Sequence, residues 1–235
     1  MNMPPPSGVS VYSWNPNALF IECIWDGGGN DTIDASNQMR RVIINLNAGA
    51  FSETAWGLNN ISIAYNVTIE TAIAGSGGAT MYANGLGNTL KGGTGADTFF
   101  GGAGNDTITG GAGNDTAVFG QSYASYLLVR NGDTVTVAGD GIDMLTGVET
   151  LRFTDRTVAA KDVMALLYQT GTSGNDRLDA PAASARIDGG DGRDTVVIAG
   201  NRANYTVTAT GDGFTGRGAN GGIDQLLNVG RGRFA

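Results

Sequence analysis

Aspartate residues recur at intervals of nine near the middle of this chain, and each follows a glycine-rich stretch. Three consecutive units of the form G-G-x-G-x-D-x-U-x, where U is apolar, cover residues 92–100, 101–109 and 110–118. An aspartate carboxylate is a hard anionic oxygen ligand, which suits Ca²⁺. Glycine allows positive φ angles, so a tight loop can bring its carbonyl oxygens close to an ion. The spacing therefore predicts a row of calcium-binding loops.

The nine-residue unit matches the calcium-binding nonapeptide of RTX proteins, which stacks into a parallel β-roll. Residues 7–9 of each unit form a short strand in such a roll, and the eighth residue points into the core. Counting back by nines adds two weaker units, 74–82 and 83–91, whose sixth residues are Ala79 and Asn88. We therefore expect five stacked strands. Their inward residues would be Met81, Leu90, Phe99, Ile108 and Ala117.

Loops two units apart lie on the same side of a β-roll, so an ion is expected between them. Asp97 and Asp115 would share one ion, whereas Asp106 faces the weaker Asn88 loop and Asp97 also faces the Ala79 loop. The candidate ligands of this first roll are Asn88, Gly92, Gly93, Thr94, Gly95, Asp97, Gly101, Ala103, Asp106, Gly110, Ala112 and Asp115.

A second, degenerate roll is predicted downstream, where residues 171–179, 180–188 and 189–197 again run in steps of nine. Asp176 and Asp194 are two units apart, so they could share a single ion on one side. The candidate ligands of this roll are Thr172, Gly174, Asp176, Gly189, Asp191 and Asp194.

The segments that follow the two rolls resemble each other, which predicts two roll-plus-cap units. Gly141-Ile142-Asp143 parallels Gly222-Ile223-Asp224, and residues 148–153 parallel 229–234. Strands are expected at 127–130, 134–138 and 205–209, and a helix at 159–169. The predicted fold is all-β, a parallel β-roll with β caps and one short connecting helix. Its segments are a lead-in (1–73), first roll (74–118), cap (119–158), linker helix (159–170), second roll (171–197) and second cap (198–235).

The first part of the chain adds a more specific similarity. Residues 25–34 read W-D-G-G-G-N-D-T-I-D, residues 43–47 read I-I-N-L-N, and residues 66–73 read N-V-T-I-E-T-A-I. In this order and spacing they resemble the C-terminal domain of serralysin-type (M10) metalloproteases, over about residues 7–118.

The resemblance implies two further calcium sites in the lead-in. One would use Asp26, Gly28 and Asp31 with carbonyl oxygens near the start of the domain, here Pro6, Gly8 and Ser10. The other would use Asp31 with Thr68 and Glu70. Residues Asp26 and Asp31 flank three glycines that could wrap an ion, although this spacing alone would also suit an ordinary turn capped by carboxylates.

Composition argues against several functions. Serralysins are zinc proteases with an H-E-x-x-H helix, but this chain has no histidine, so neither a zinc site nor a Ser-His-Asp triad is expected. The net charge of −8 disfavours nucleic acid as a partner. No apolar stretch is long enough to span a bilayer, and Cys23, the single cysteine, cannot form an internal disulfide. We expect no enzymatic activity.

The predicted function is that of a secreted bacterial calcium-binding module. Its rolls would fold on binding several extracellular Ca²⁺ ions, and the resemblance implies export by type I secretion machinery without an N-terminal signal. The expected output is binding or structure at or near the cell surface, including assembly into a homo-oligomer, surface layer or fibre. The alternative is an accessory or secretion-assisting fragment of a serralysin-like hydrolase. The basic C-terminal stretch 228–235 departs from the acidic-then-apolar end of such substrates.

Overall fold

The computed structural model describes residues 8–54, 59–163, 167–180, 185–210, 213–218 and 223–234. They divide into two compact units, residues 1–126 with 133–162 and residues 127–132 with 163–235. Both units are built from short strands. No helix within the described residues is long and apolar enough to cross a bilayer.

The strands of residues 8–126 are β1 Val11–Tyr12, β2 Glu22–Ile24, β3 Thr32–Asp34, β4 Val42–Asn45, β5 Phe51–Ser52, β6 Ile61–Ile63, β7 Thr71–Ile73, β8 Ala79–Tyr82, β9 Thr89–Lys91, β10 Thr98–Phe100, β11 Thr107–Thr109 and β12 Thr116–Val118. Those that follow are β13 Leu127–Asn131, β14 Thr134–Ala138, β15 Ile142–Thr146, β16 Thr150–Arg152, β17 Thr157–Ala159, β18 Leu167–Thr170, β19 Arg177–Asp179, β20 Ala185–Asp188, β21 Thr195–Ile198, β22 Tyr205–Thr210, β23 Gly213–Gly218, β24 Ile223–Leu227 and β25 Arg231–Phe234. Single 3-10 turns lie at Tyr123–Ser125, Ala160–Asp162 and Arg202–Asn204.

The first unit is a parallel β-roll, as predicted. Successive coils place their strands alternately in two sheets, one containing β4, β8, β10, β12 and β16, the other β3, β7, β9, β11 and β15. Neighbours within a sheet are offset by two coils, so that Thr98 pairs with Thr116 and Thr89 with Thr107. Every loop is therefore stacked on the loop two coils before it.

The core of this roll is a column of the eighth residues of the coils. Met81, Leu90 and Phe99 are fully buried, and Ile108 and Ala117 are only 1% exposed, which confirms the predicted inward positions. Because strand side chains alternate between faces, the flanking seventh and ninth residues are more exposed. Each large buried apolar side chain contributes about 1.5–3 kcal/mol to folding.

The cap continues both sheets of the first unit and then ends them. Strand β15 pairs in parallel with β11, and β16 with β12, as further coils would. Antiparallel β14 and β17 then pair with β15 and β16, so the parallel stack stops. Beneath this cap Phe119 stacks on Phe153, with ring centroids 5.0 Å apart.

The helix predicted at 159–169 is wrong. Residues 157–159 form strand β17, residues 160–162 a single 3-10 turn, and residues 167–170 strand β18, while 164–166 lie outside the described residues. Helical propensity is a weak preference that tertiary pairing overrides. Here β17 finds a partner in β16, and β18 finds one in β20.

The second unit repeats this plan with fewer coils. One sheet has the order β18-β20-β24-β23-β22 and the other β19-β21-β25. Its core contains Leu178, Ile187 and Val196, one from each predicted nonapeptide, with Leu226 and Val229 of the cap.

Strands β13, β14 and β22 confirm the strands expected at 127–130, 134–138 and 205–209.

Candidate metal centre

The loops of the first roll depend on glycine where coils stack closely. Gly102, Gly104, Gly111 and Gly113 have φ angles of 74°, 104°, 105° and 134°, a range that side chains disfavour. A Cβ added at Gly113 would lie 2.5 Å from the carbonyl oxygen of Gly95. The stacked loops thus present backbone carbonyl oxygens to one another at close range.

A ladder of hydrogen bonds links the sixth residues of loops two coils apart. The backbone N–H of Asp97 donates to Oδ1 of Asp115 at 2.8 Å, and that of Asn88 donates to Oδ1 of Asp106 at 2.7 Å. In the second unit the N–H of Asp176 donates to Oδ1 of Asp194 at 2.9 Å. The structure therefore brings together each of these pairs that the spacing predicted to lie on one side.

Several of these buried carboxylates have one oxygen without a hydrogen-bond partner. The oxygens are Oδ2 of Asp31, Oδ1 of Asp97, and Oδ2 of Asp106, Asp115 and Asp194, and each of these five residues is at most 1% exposed. Leaving a buried charged acceptor unsatisfied costs more than an ordinary hydrogen bond contributes. A bound cation would satisfy such oxygens, so the residues present fit a metal ion.

Burial also shifts the titration of these side chains. It raises the pKa of Asp106 to about 7, with Asp143 and Asp140 adding to the effect, and it raises the pKa of Asp115 to about 6. Burial raises the pKa of Asp97 as well. In the absence of a cation, the ionised forms are therefore disfavoured.

Backbone carbonyl oxygens also lie near these carboxylates and could serve as further metal ligands. Gly92 faces the carbonyl of Gly110 and the carboxylate of Asp97, while Gly110 faces the carbonyl of Gly147 and Oδ2 of Asp115. Within the described part of the chain, no three acidic, histidine or cysteine side chains converge. An all-oxygen donor set of carboxylates and carbonyls suits Ca²⁺ rather than a softer metal.

The other predicted ligands of the two rolls occupy the loops around these carboxylates. Gly93 donates its N–H to Oδ2 of Asp97 at 2.9 Å, and Thr172 donates both its N–H and its hydroxyl to Oδ2 of Asp176. The residues that lie exposed at loop tips are Thr94, Ala103, Ala112, Gly174 and Asp191. Gly95 and Gly189 are close to the loops stacked on them, and Gly101 is buried beside Asp106.

The lead-in brings Asp26 and Asp31 together around the glycine triplet. The Tyr12 hydroxyl donates to Oδ2 of Asp26, whose Oδ1 accepts the N–H of Gly28 at 2.8 Å. Asp31 accepts the N–H of Ser10 at 2.8 Å. Burial raises the pKa of Asp31; burial also opposes ionisation of Asp26, but hydrogen bonds from Tyr12 and Gly28 hold its pKa below the usual range.

The second predicted lead-in pair is also adjacent. The N–H of Asp31 donates to Oε2 of Glu70 at 2.7 Å, and the N–H of Glu70 donates back to the carbonyl of Asp31 at 3.1 Å. Thr68 is half-buried two residues before Glu70. Gly8 donates its N–H to the carbonyl of Gly28 at 2.8 Å, whereas Pro6 lies outside the described residues.

Sequence reasoning missed three carboxylates in the caps. Asp143 accepts the N–H of Asp106 at 3.0 Å, Glu149 accepts that of Asp115 at 2.7 Å, and Asp224 accepts that of Ala185 at 3.2 Å. Each stands opposite the sixth residue of a nonapeptide. The repeated Gly-Ile-Asp in the two caps was a signal that could have identified Asp143 and Asp224.

Two family models and several known proteins match parts of this chain. The family model described as peptidase M10 serralysin C terminal matches residues 10–178, and the RTX calcium-binding nonapeptide repeat (4 copies) matches residues 170–197. Metalloprotease AprA of Pseudomonas entomophila (strain L48) is 41% identical over 97 residues, covering 36% of this chain and 20% of that protein. Serralysin of Proteus mirabilis is 42% identical over 85 residues, covering 36% of this chain and 17% of that protein.

This chain thus spans about a fifth of the length of these relatives. Among solved structures, extracellular lipase LipA from Serratia marcescens is similar over 67% of this chain and 39% of that chain, at 16% identity and a TM-score of 0.23.

Proposed function

This chain belongs to the serralysin C-terminal family of peptidase M10, and we propose that it is a secreted, non-catalytic module that folds when its loops bind Ca²⁺. The proposal rests chiefly on one observation. Buried carboxylates recur in the lead-in and along both rolls, and five of them keep one oxygen without a hydrogen-bond partner: Asp31, Asp97, Asp106, Asp115 and Asp194.

The energetics favour coupling between ion binding and folding. Stacked buried carboxylates repel one another when ionised, and glycine-rich loops lose much conformational entropy on ordering. Calcium, when bound, neutralises these carboxylates, and its binding free energy becomes folding free energy. Extracellular calcium modules bind at about 10⁻⁴–10⁻³ M, so such a chain would stay largely unfolded in the cytosol and fold outside the cell. This behaviour supports passage through a type I secretion channel.

A non-catalytic role is supported by what the sequence offers for chemistry. The chain has no histidine, and the matched family models describe a C-terminal domain and a repeat. The buried carboxylates are engaged in the ladder of hydrogen bonds between coils. We therefore propose that its output is binding or structure.

The test is a calcium titration of the EDTA-stripped chain, followed by far-UV circular dichroism. We expect a cooperative gain of β signal near millimolar Ca²⁺ that Mg²⁺ does not produce. The double variant Asp97→Asn/Asp115→Asn should shift the midpoint to at least about tenfold higher Ca²⁺, a change of about 1.4 kcal/mol. Asp133→Asn, an exposed residue of the cap, is the matched control. A chain that is already folded in EDTA and whose spectrum does not change with Ca²⁺ would contradict the proposal.

A second candidate function is an accessory module that docks on a hydrolase domain. It is favoured by apolar side chains exposed around β1 and before β2: Val9, Val11, Leu19 and Ile21 are 63–89% exposed. All four lie within a short stretch of sequence, and exposed apolar side chains that form one patch mark interaction surfaces.

Sedimentation and activity measurements separate this role from self-assembly. In Ca²⁺, a monomer that increases the activity of a serralysin protease domain added in trans would support the accessory role, and Ile21→Ser should weaken that effect. Concentration-dependent assembly of the chain alone would instead support a surface-layer or fibre subunit. A monomer with no effect on the protease domain would contradict both.

A further inference from the structure

The first roll does not end at its last nonapeptide on the side of β9 and β11. Strand β15 pairs with β11 so that Met144 lies opposite Thr107. This register places Asp143 opposite Asp106, where a further coil would have its sixth residue. The cap therefore supplies a carboxylate in the position of a ladder aspartate, although its sequence is not a nonapeptide.

The hydrogen bonds of Asp143 continue the ladder. Asp106 accepts the N–H of Asn88 through Oδ1 at 2.7 Å and donates its own N–H to Oδ1 of Asp143 at 3.0 Å. Oδ2 of Asp106 is buried and without a hydrogen-bond partner. The geometry at Asp106 and Asp143 thus repeats that at Asp97 and Asp115.

The second oxygens of these two carboxylates border the same space. A Cβ added to Gly101 would lie 3.0 Å from Oδ2 of Asp106 and 3.6 Å from Oδ2 of Asp143. The absence of a side chain at Gly101 keeps this space open between its own loop and the cap.

The two carboxylates that border this space are buried, and a cation would neutralise their negative charge. Asp106 is 1% exposed and Asp143 is 2% exposed. The ion pairs found among the described residues, Arg156 with Asp155 and Arg177 with Asp179, lie elsewhere. No basic side chain in those pairs neutralises Asp106 or Asp143.

We propose that Asp143 and Asp106 form a calcium site beside Gly101, which joins the cap to the last nonapeptide loop on the side of β9 and β11. This inference rests on the proposed calcium-binding function and extends it to the cap, whose folding it would couple to ion binding. Backbone carbonyl oxygens of the loop would complete the donor set.

The second unit provides an internal comparison. There Asp224 occupies the position of Asp143, but it lies opposite Ala185 rather than an aspartate. This cap position thus has one carboxylate instead of two. A site with fewer charged ligands binds Ca²⁺ more weakly, so the second cap is expected to remain empty at calcium concentrations that fill the first.

The experiment counts ions and follows the cap in the full chain. Equilibrium dialysis with ⁴⁵Ca²⁺ gives the number bound, and hydrogen exchange reports on strands β14 and β15. Asp143→Asn keeps an oxygen that can accept the N–H of Asp106 but removes the charge. Gly101→Ala keeps both carboxylates but fills the space between them. Asp133→Asn, exposed in the same cap, changes the charge equally and is the control.

At about 1 mM calcium, both test variants should bind one ion fewer than the control, because each change should weaken binding at this site about tenfold. The calcium-induced protection of β14 and β15 should also disappear. If Asp143→Asn fails to fold, Gly101→Ala decides alone. Unchanged stoichiometry and unchanged protection in folded variants would overturn the cap site. Failure of the unaltered chain to bind Ca²⁺ would instead overturn the proposed function itself.

Discussion

The backbone N–H of Asp115 donates to Oε2 of Glu149 at 2.7 Å. A glutamate of the cap thereby accepts the backbone N–H of Asp115, just as Asp115 accepts the backbone N–H of Asp97. The same strand pairing in the second unit aligns Arg231 with Thr195, which places Gly230 opposite Asp194. The two caps differ at this point, and the difference predicts how the second unit can be stabilised.

Replacing Gly230 with glutamate should stabilise the second unit in Ca²⁺. The residue is exposed, and a Cβ there would meet only ordinary contacts, the nearest at 3.7 Å. The added side chain can accept the N–H of Asp194, and one such bond is worth about 0.5–1.5 kcal/mol. Thermal unfolding in Ca²⁺ measures the gain in stability.

Gly230→Gln is the control for charge. In EDTA a new carboxylate would face Asp194 without an ion between them, so Gln should stabilise the unit more than Glu. The reverse order in EDTA would contradict this reasoning.

Gly113→Ala should destabilise the first roll. Its φ of 134° is unfavourable for a side chain, and the new Cβ would lie 2.5 Å from the carbonyl oxygen of Gly95. The conformational cost alone is about 1–2 kcal/mol. Chemical denaturation in saturating Ca²⁺ gives the difference from the unaltered chain. Gly120→Ala should change the stability by less than about 0.5 kcal/mol, because a Cβ at Gly120 has open space around it. Equal losses in the two variants would refute the stacking argument.

Phe99 is expected to be a principal residue of the core. Its side chain is fully buried in the column of inward residues, and Phe99→Ala should cost about 3–5 kcal/mol in the calcium-loaded chain. Phe51→Ala removes the same atoms from a side chain that is 58% exposed, so it should cost far less. Urea unfolding followed by circular dichroism compares them. A loss at Phe51 as large as that at Phe99 would show that the column does not dominate stability.

The calcium-free chain should become more structured in acid. Burial raises the folded-state pKa of Asp106 to about 7 and those of Asp115, Asp143 and Asp224 to about 6, above the value of about 3.9 for an exposed aspartate. Groups of this kind stabilise the fold when protonated, and that contribution is lost as the pH rises through the folded-state pKa. In EDTA, β signal should therefore increase between pH 7.5 and 5.

Saturating Ca²⁺ should reverse the sign of this dependence, because ligand carboxylates must be deprotonated to bind the ion. Thermal unfolding at pH 5 and pH 7.5, with EDTA and with Ca²⁺, tests both signs in one series. Asp106→Asn should weaken the pH dependence in EDTA, since it removes the group with the highest of these pKa values. A calcium-free chain that loses structure on acidification would contradict the assignment of the buried carboxylates.

Much of the first roll could be predicted because its period is local. A repeat of nine residues places successive strands alternately in two sheets, so Asp97 and Asp115, eighteen residues apart, had to lie on one side. The same count predicted the inward column from Met81 to Ala117. Helical preference at 159–169 misled the prediction, since strand pairing with β16 and β20 satisfied this backbone better than a short isolated helix could.

The sequence by itself determined the repeating coil, its core column and the carboxylates of the loops, because these follow from the chemistry of nine consecutive residues. Only the tertiary structure decided how the rolls end. Asp106 and Asp143 are 37 residues apart, and Asp115 and Glu149 are 34 apart, so their pairing breaks the period of eighteen. It depends on which strand of the cap finds an open sheet edge, and this long-range register is set by hydrogen bonding and burial in the folded molecule.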